Sequence, residues 1–282
     1  MSFDQIDEFI AAGLREDVGT GDVTCLACIP DSARNRARLL VKDEGVLAGM
    51  VIAERIFKTV DPSAHFEKMI DDGANIKYGD VAFIVECHTQ ALLQAERLVL
   101  NTMQRMSGIA TISRQYRDAV ADLPVKILDT RKTTPLIRFL EKWAVRIGGC
   151  HNYRDGLYDW FMIKDNHTDA CGGIQPAIER VYAYQQANGL QLNVTVEVRN
   201  LTELQQVLDT GKVTRIMLDN FQLETMHEAV KMVGKRFETE ASGGVTLDTL
   251  RAIALTGVDY ISVGALTHSA QSLDLSLKVL KD

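Results

Sequence analysis

Four runs late in the chain, Val194-Thr195-Val196-Glu197, Ile216-Met217-Leu218-Asp219, Phe237-Glu238-Thr239-Glu240-Ala241-Ser242 and Tyr260-Ile261-Ser262-Val263-Gly264, are short and β-rich, and each closes on a polar or small residue. Two earlier runs match them, Val125-Lys126-Ile127-Leu128-Asp129 and Trp160-Phe161-Met162-Ile163-Lys164. Successive ends lie 22 to 35 residues apart with helix-like segments between them, the pitch of βαβ units. Parallel strands are covered on both faces, which accounts for runs that are continuous rather than alternating. An α/β fold with a parallel sheet follows, either an open doubly wound sheet or a barrel. The polar ends of all six runs favour the barrel, because the C-terminal strand ends then line one mouth.

Working outward, residues 4–16 place Ile6, Phe9, Ile10 and Leu14 on one helical face. Residues 36–50 and 81–93 read as strand with glycine turns between, and residues 95–121 as helix interrupted near Ser107-Gly108. The 282 residues are 46% hydrophobic and 24% charged, which excludes fibrous and disordered classes. No apolar stretch approaches the ~20 residues of a membrane span, and the acidic first residues do not read as a signal peptide. A cytoplasmic protein without membrane association is expected. The five cysteines, an odd number, argue against a disulfide framework. Cys25-Leu26-Ala27-Cys28 has metal or redox spacing, but no second pair completes a ligand set.

The net charge of −7 speaks against nucleic-acid binding. Residues 126–164 nevertheless carry eight basic and four acidic side chains, a positive island suited to a small polyanion. Within it, Arg138, Lys142 and Arg146 at helical spacing read as a solvated face. Arg131 and Lys132, adjacent just after a strand, are costly together unless an anion joins them. Arginine offers a planar fork to carboxylate or phosphate, lysine a compact charge. Glu197 and Asp219, at neighbouring strand ends, suit Mg²⁺ facing phosphates or salt bridges to Lys164 and Lys132. The turns Ser242-Gly243-Gly244 and Ser262-Val263-Gly264 suit phosphate, since glycine lets backbone N–H groups approach an anion. His167 is read as a structural hydrogen-bonding residue of its loop, with acid/base work as the alternative. No G-x-S-x-G or Cys/His arrangement supports nucleophilic catalysis.

The chain resembles the quinolinate phosphoribosyltransferases, or carboxylating nicotinate-nucleotide pyrophosphorylases. The resemblance is carried by Glu16-Asp17-Val18-Gly19-Thr20-Gly21-Asp22-Val23-Thr24, Glu96-Arg97, Leu100-Asn101, Ser107-Gly108-Ile109-Ala110-Thr111, residues 128–135, Glu141-Lys142-Trp143-Ala144-Val145-Arg146, and residues 163–167, 217–220, 240–244 and 261–269. It implies an N-terminal α/β sandwich-like domain over 1–104, an irregular, incomplete parallel α/β barrel over 105–269, and a C-terminal helix over 270–282 packing back on the first domain. It also implies a homodimer. The family joins quinolinate to phosphoribosyl pyrophosphate with Mg²⁺, giving nicotinate mononucleotide, CO₂ and pyrophosphate in NAD biosynthesis.

By position, Arg97 resembles the arginine that one family subunit donates to its neighbour's site. Arg131, Arg154 and Lys164 match quinolinate ligands, and Lys132 the lysine near both substrates. Glu197 and Asp219 match the carboxylates at the ribose and metal, and the two glycine turns match the phosphate sites. The family's Gly-Gly-Gly-x-Asn-His-Arg is here Gly148-Gly149-Cys150-His151-Asn152-Tyr153-Arg154, so Tyr153 stands as a quinolinate ligand where the family has histidine. Tyrosine donates one hydrogen bond but does not become cationic. Leu136 replaces a common glycine. Another anionic heterocycle as acceptor, and a non-catalytic binder of phosphorylated nucleotide precursors, are the alternatives to be separated.

Overall fold

The computed structural model describes residues 3–280 and resolves into two compact units, each treated by itself. The first comprises residues up to Arg114 together with Thr133–Gly149 and the segment from Ser269 onward. Its elements, numbered in chain order through the whole molecule, are α1 (Phe3–Val18), α2 (Val23–Cys28), β1 (Arg34–Val41), β2 (Gly45–Val46), α3 (Met50–Val60), β3 (His65–Lys68), β4 (Asn75–Ile76), β5 (Val81–His88), α4 (Thr89–Asp118), α5 (Arg138–Ile147) and β12 (Leu275–Val279). Four strands form an antiparallel sheet in the order β12-β1-β5-β3. Side chains alternate across such a sheet. Ala37, Leu39 and Val41 of β1, Phe83 and Val85 of β5, and Leu275 and Leu277 of β12 are buried, while Arg34, Arg36, Arg38 and Lys278 are exposed. The α3 helix turns Ile52, Ala53, Ile56 and Phe57 inward, and Phe57 meets Phe83 edge-on at 5.9 Å. Burying each such large side chain is worth about 1.5–3 kcal/mol. A sheet with helices on its inner face is the sandwich-like layering expected.

Three expectations are corrected in this unit. The C-terminal segment is a strand, not a helix, as far as it is described; residues 281 and 282 lie outside the described residues. Leu275-Ser276-Leu277-Lys278-Val279 has period two, and its register with β1 (Leu39↔Leu277, Arg38↔Lys278) puts both leucines on the core face. The α4 helix is also continuous through Ser107-Gly108. That pair serves close packing: Ser107 Oγ accepts from Ala48 N at 2.9 Å, and a methyl on Gly108 would stand 2.9 Å from the carbonyl carbon of Gln271. The unit boundary falls inside α4, after Arg114, rather than at residue 104.

The second unit, Gln115–Lys132 with Cys150–His268, carries β6 (Lys126–Leu128), β7 (Phe161–Ile163), α6 (Asp165–Cys171), α7 (Ile174–Asn188), β8 (Val194–Val198), α8 (Leu201–Thr210), β9 (Arg215–Asp219), α9 (Leu223–Val233), β10 (Glu238–Ser242), α10 (Leu247–Ala254), β11 (Tyr260–Ser262) and α11 (Ala265–His268). All pairings are parallel, in the order β6-β11-β10-β9-β8-β7. This is the cyclic order of a barrel cut between its first two strands. In place of a β6–β7 ladder, His151 makes an isolated parallel bridge to Leu128. Two residues later the Tyr153 hydroxyl reaches Thr195 on β8 at 2.7 Å, so the two edges of the sheet curl toward each other. The incomplete barrel follows from that. No described helix is long and apolar enough to cross a membrane.

Candidate active site

Arg131, Lys132, Lys164, Glu197 and Asp219 lie at or just beyond the C-terminal ends of strands of the second unit. Lys164 comes directly after β7, and its Nζ donates to Glu197 Oε2 on β8 at 2.8 Å. Glu197 is buried, whereas the lysine is half exposed. Asp219 ends β9. Burial, then the charge of Glu197, raises its carboxyl pKa, against a hydrogen bond from Asn220 and the charge of Lys164. Asn220 adopts a left-handed φ of 55°, which asparagine tolerates. From there its N–H donates to Ser242 O at 2.9 Å and its Nδ2 to Asp219 Oδ2 at 2.7 Å. A methyl on Gly243 (φ 98°) would stand 2.6 Å from Asn220 Cγ, so glycine is required where that side chain crosses. Asn220 thus ties Asp219 to the Ser242-Gly243-Gly244 turn, a role the sequence reading missed.

The cations gather after β6. Asp129, fully buried, accepts from Asn152 Nδ2 at 2.5 Å and Tyr153 N at 2.8 Å, fixing the segment that carries Arg154. Lys132 N donates to Thr130 Oγ1 at 3.1 Å, and Lys132 O accepts from Thr267 Oγ1 at 2.8 Å. The Lys132 stem passes Gly264, where a methyl would come within 3.1 Å of its Cδ. Lys132 is exposed. Arg131 Nε is buried and has no hydrogen-bond partner among the described residues. Arg154 is buried, with Nη1 3.4 Å from Trp160 O; burial, then the charge of Arg131, weakens its hold on its proton. Two guanidinium groups that repel each other, one with an unpartnered Nε, could hold an anion.

Below this mouth the barrel interior is polar where parallel barrels are usually filled by branched apolar residues. Arg215, at the start of β9, donates to Glu238 (2.8 and 3.0 Å) and Glu240 (3.2 Å) on β10, and its guanidinium lies 3.7 Å from the Tyr260 ring centroid. Ser262 Oγ donates to Glu240. Burial raises the Glu240 carboxyl pKa, against hydrogen bonds from Ser262, Arg215 and Tyr153 and the charge of Arg215. Trp160 Nε1 donates to Thr195 Oγ1 at 2.9 Å, beside the Tyr153 hydroxyl. Thr195 precedes Glu197 by two residues on β8, hence on the same face and one layer deeper.

Three of the expected ligand residues, Tyr153, Ser262 and Val263, are hydrogen-bonded within the protein. The Tyr153 hydroxyl lies in this deeper layer, and burial pushes its phenol pKa far up. Ser262 faces Glu240, and Val263 N donates to Leu128 O at 2.9 Å as part of the ladder. Only Gly264 of that turn is left facing Lys132. His167 is structural, its Nδ1 accepting from Lys164 N at 2.9 Å at the start of α6. Lys142 is buried, so the expected solvated face reduces to Arg146, with Arg138 bonded to Thr133. Arg97 lies on α4 in the first unit, 63% exposed, with Glu96 Oε1 3.9 Å away. Arg215, Thr195 and Glu240 were not singled out from the sequence. The available signal was Glu238 and Glu240, two acids on one face of a buried strand, beside an arginine opening the previous one.

Residues 22–107 match the quinolinate phosphoribosyl transferase N-terminal domain, and residues 109–278 the C-terminal domain of that family. The chain is 47% identical over 285 residues to quinolinate phosphoribosyltransferase [decarboxylating] 1b of Nicotiana tabacum, covering 96% of this chain and 81% of the relative. It is 43% identical to the probable nicotinate-nucleotide pyrophosphorylase [carboxylating] of Bacillus subtilis (strain 168), covering 94% and 90%. A crystal structure of NadC from Streptococcus pyogenes superposes with a TM-score of 0.93 at 37% identity, covering 100% of this chain and 99% of that one. With both domains matched and the mouth built as described, the chain belongs to the quinolinate phosphoribosyltransferase family.

Proposed function

We propose that this protein transfers the phosphoribosyl group of phosphoribosyl pyrophosphate to quinolinate, with loss of CO₂ and pyrophosphate, forming nicotinate mononucleotide for de novo NAD biosynthesis. The observation that carries this is the pair of guanidinium groups, Arg131 and Arg154, at the same strand-end edge as Lys164, Glu197 and Asp219. A dicarboxylate relieves the repulsion of the first pair. The carboxylates of the second group face the cationic ribosyl centre that develops in transfer.

Arg131, Arg154 and Lys164 hold the two carboxylates of quinolinate, and the exposed Arg97 of a second copy joins them in a homodimer. Lys132, lying along Gly264, serves both substrates. The backbone of Ser242-Gly243-Gly244 and of Gly264 receives phosphate. The bond from the anomeric carbon to pyrophosphate breaks as the ring nitrogen bonds to that carbon, and Glu197 or Asp219 stabilises the positive charge between them. The carboxylate beside the new pyridinium then leaves as CO₂, its electron pair passing to the ring carbon that takes up a proton. Two carboxylates at neighbouring strand ends, Glu197 bonded to Lys164 and Asp219 to Asn220, fit a hard cation. Glu197 and Asp219 would hold Mg²⁺, which would supply positive charge against the pyrophosphate leaving group. On this reading the reaction takes place in the cytoplasm, where an odd number of cysteines without a disulfide framework is ordinary.

The test is chromatographic detection of nicotinate mononucleotide and of CO₂ from quinolinate, phosphoribosyl pyrophosphate and Mg²⁺, with nicotinate in parallel. Product from quinolinate alone is expected, and Lys132→Ala should lose it by orders of magnitude while remaining folded. Product from nicotinate instead, or none from folded protein, overturns the assignment.

A further inference from the structure

We propose that Tyr153 is a positioning residue for Arg154 rather than a ligand of the substrate. The proposal rests on the reading of the mouth as a quinolinate site. The segment around Tyr153 stands in for the missing ladder between β6 and β7: His151 N donates to Ile127 O at 2.9 Å, and Asp129 N to His151 O at 3.0 Å. Asp129 then takes the Tyr153 N–H and the Asn152 amide. The backbone ahead of Arg154 is thereby fixed on the β6 side.

The other side is fixed through the phenol. The Tyr153 ring meets Trp160 edge-on at 5.4 Å, and its hydroxyl shares Thr195 Oγ1 with the Trp160 indole N–H. Trp160 in turn supplies the carbonyl 3.4 Å from Arg154 Nη1. The contacts close a ring: Arg154 to Trp160, Trp160 to Thr195, Thr195 to Tyr153, and Tyr153 to Arg154 along the chain. A hydroxyl has one proton and two acceptor positions. That of Tyr153 is engaged by Thr195 and also by Glu240, which Ser262 and Arg215 hold from the far side. Thr195 is fully buried. Engaging a substrate carboxylate would break this set, whereas leaving it intact holds Arg154 beside Arg131 before the anion arrives.

Tyr153→Phe and Thr195→Val, singly and combined, separate the two roles. Positioning requires either single change to raise the quinolinate KM about tenfold, with the phosphoribosyl pyrophosphate KM within about twofold of the parent. The double variant should be no worse than either single one, since both break one ring. Thr195→Ser, which keeps the hydroxyl, should restore the parent KM. In a Trp143→Phe background, leaving Trp160 as the sole indole, both single variants should shift the emission of the ligand-free protein. A direct ligand role predicts instead that Tyr153→Phe raises the quinolinate KM while Thr195→Val leaves it unchanged; that result, or additive effects, overturns the proposal. Emission needs no substrate. Were the parent protein to make no product from quinolinate, the functional assignment would fall, and unchanged spectra in both variants would separately remove the linkage.

Discussion

Gly243→Ala should destabilise the protein far more than Gly244→Ala, although the two glycines are neighbours with positive φ angles of 98° and 60°. A side chain in left-handed backbone costs about 1–2 kcal/mol at either position. At Gly244 nothing lies within 4 Å of the added methyl, so that is the whole effect. At Gly243 the methyl overlaps the Asn220 side chain, which must swing away from Asp219 and forfeit its 2.7 Å hydrogen bond. A hydrogen bond to a charged group is worth about 1.5–3 kcal/mol, bringing the total to about 2.5–5 kcal/mol against about 1–2. Urea denaturation of both variants measures the gap directly. In an Asn220→Ala background the obstruction is gone, and only the ~1–2 kcal/mol backbone cost of Gly243→Ala should remain. Equal losses at the two glycines, or an unchanged cost in the Asn220→Ala background, would refute the argument. Turnover should fall with Gly243→Ala, because Asp219 loses the group that orients it.

Three further outcomes follow from the same geometry. Arg97→Ala and Lys164→Ala, each inactive, should regain turnover on mixing, because one composite site in a mixed dimer recovers both groups; activity no higher than that of the parents counts against a shared site. Asp219 holds its proton to higher pH when folded, so the stability it contributes falls as pH rises through its raised pKa. Asp219→Asn should therefore melt above the parent at pH 7 and lose that advantage below about pH 4, while turnover disappears; a lower melting temperature at pH 7 contradicts this. Leu136, 95% exposed at φ 68°, occupies backbone that favours glycine, and Leu136→Gly should gain about 0.5–1 kcal/mol after the unfolded-state entropy of glycine is deducted. Denaturation midpoints that fail to rise would show the strain to be relieved elsewhere.

The parallel strands were legible because burial on both faces leaves one signature, an uninterrupted apolar or β-branched run, and five of the six runs show it plainly. The sixth, with Glu238 and Glu240, was placed by pitch, and its acids could be understood only once Arg215 was seen across the ladder from Glu238. Strand ends told which residues share the mouth. They did not tell which hydroxyls were already spoken for, since Tyr153 and Ser262 are bound by partners 42 and 22 residues away. Such pairings depend on register, which one sequence does not display. The strand at 275–279 was open to reading, as Leu275 and Leu277 alternate with Ser276 and Lys278. The resemblance to a family outweighed that local pattern.

The place of β12 in its sheet bears on how the protein is made. The first unit begins at the N-terminus, yet its β1 strand is flanked on one side by a segment more than two hundred residues later. During synthesis β1 must wait, with a free edge of backbone donors and acceptors, until residues 275–279 have left the ribosome. Free edges invite pairing with other chains, and contacts of such long range form slowly. Arg34, Arg36 and Arg38 along that strand place like charges where two nascent copies would meet edge to edge. The residues that decorate the outer face of the finished sheet also guard the unfinished one.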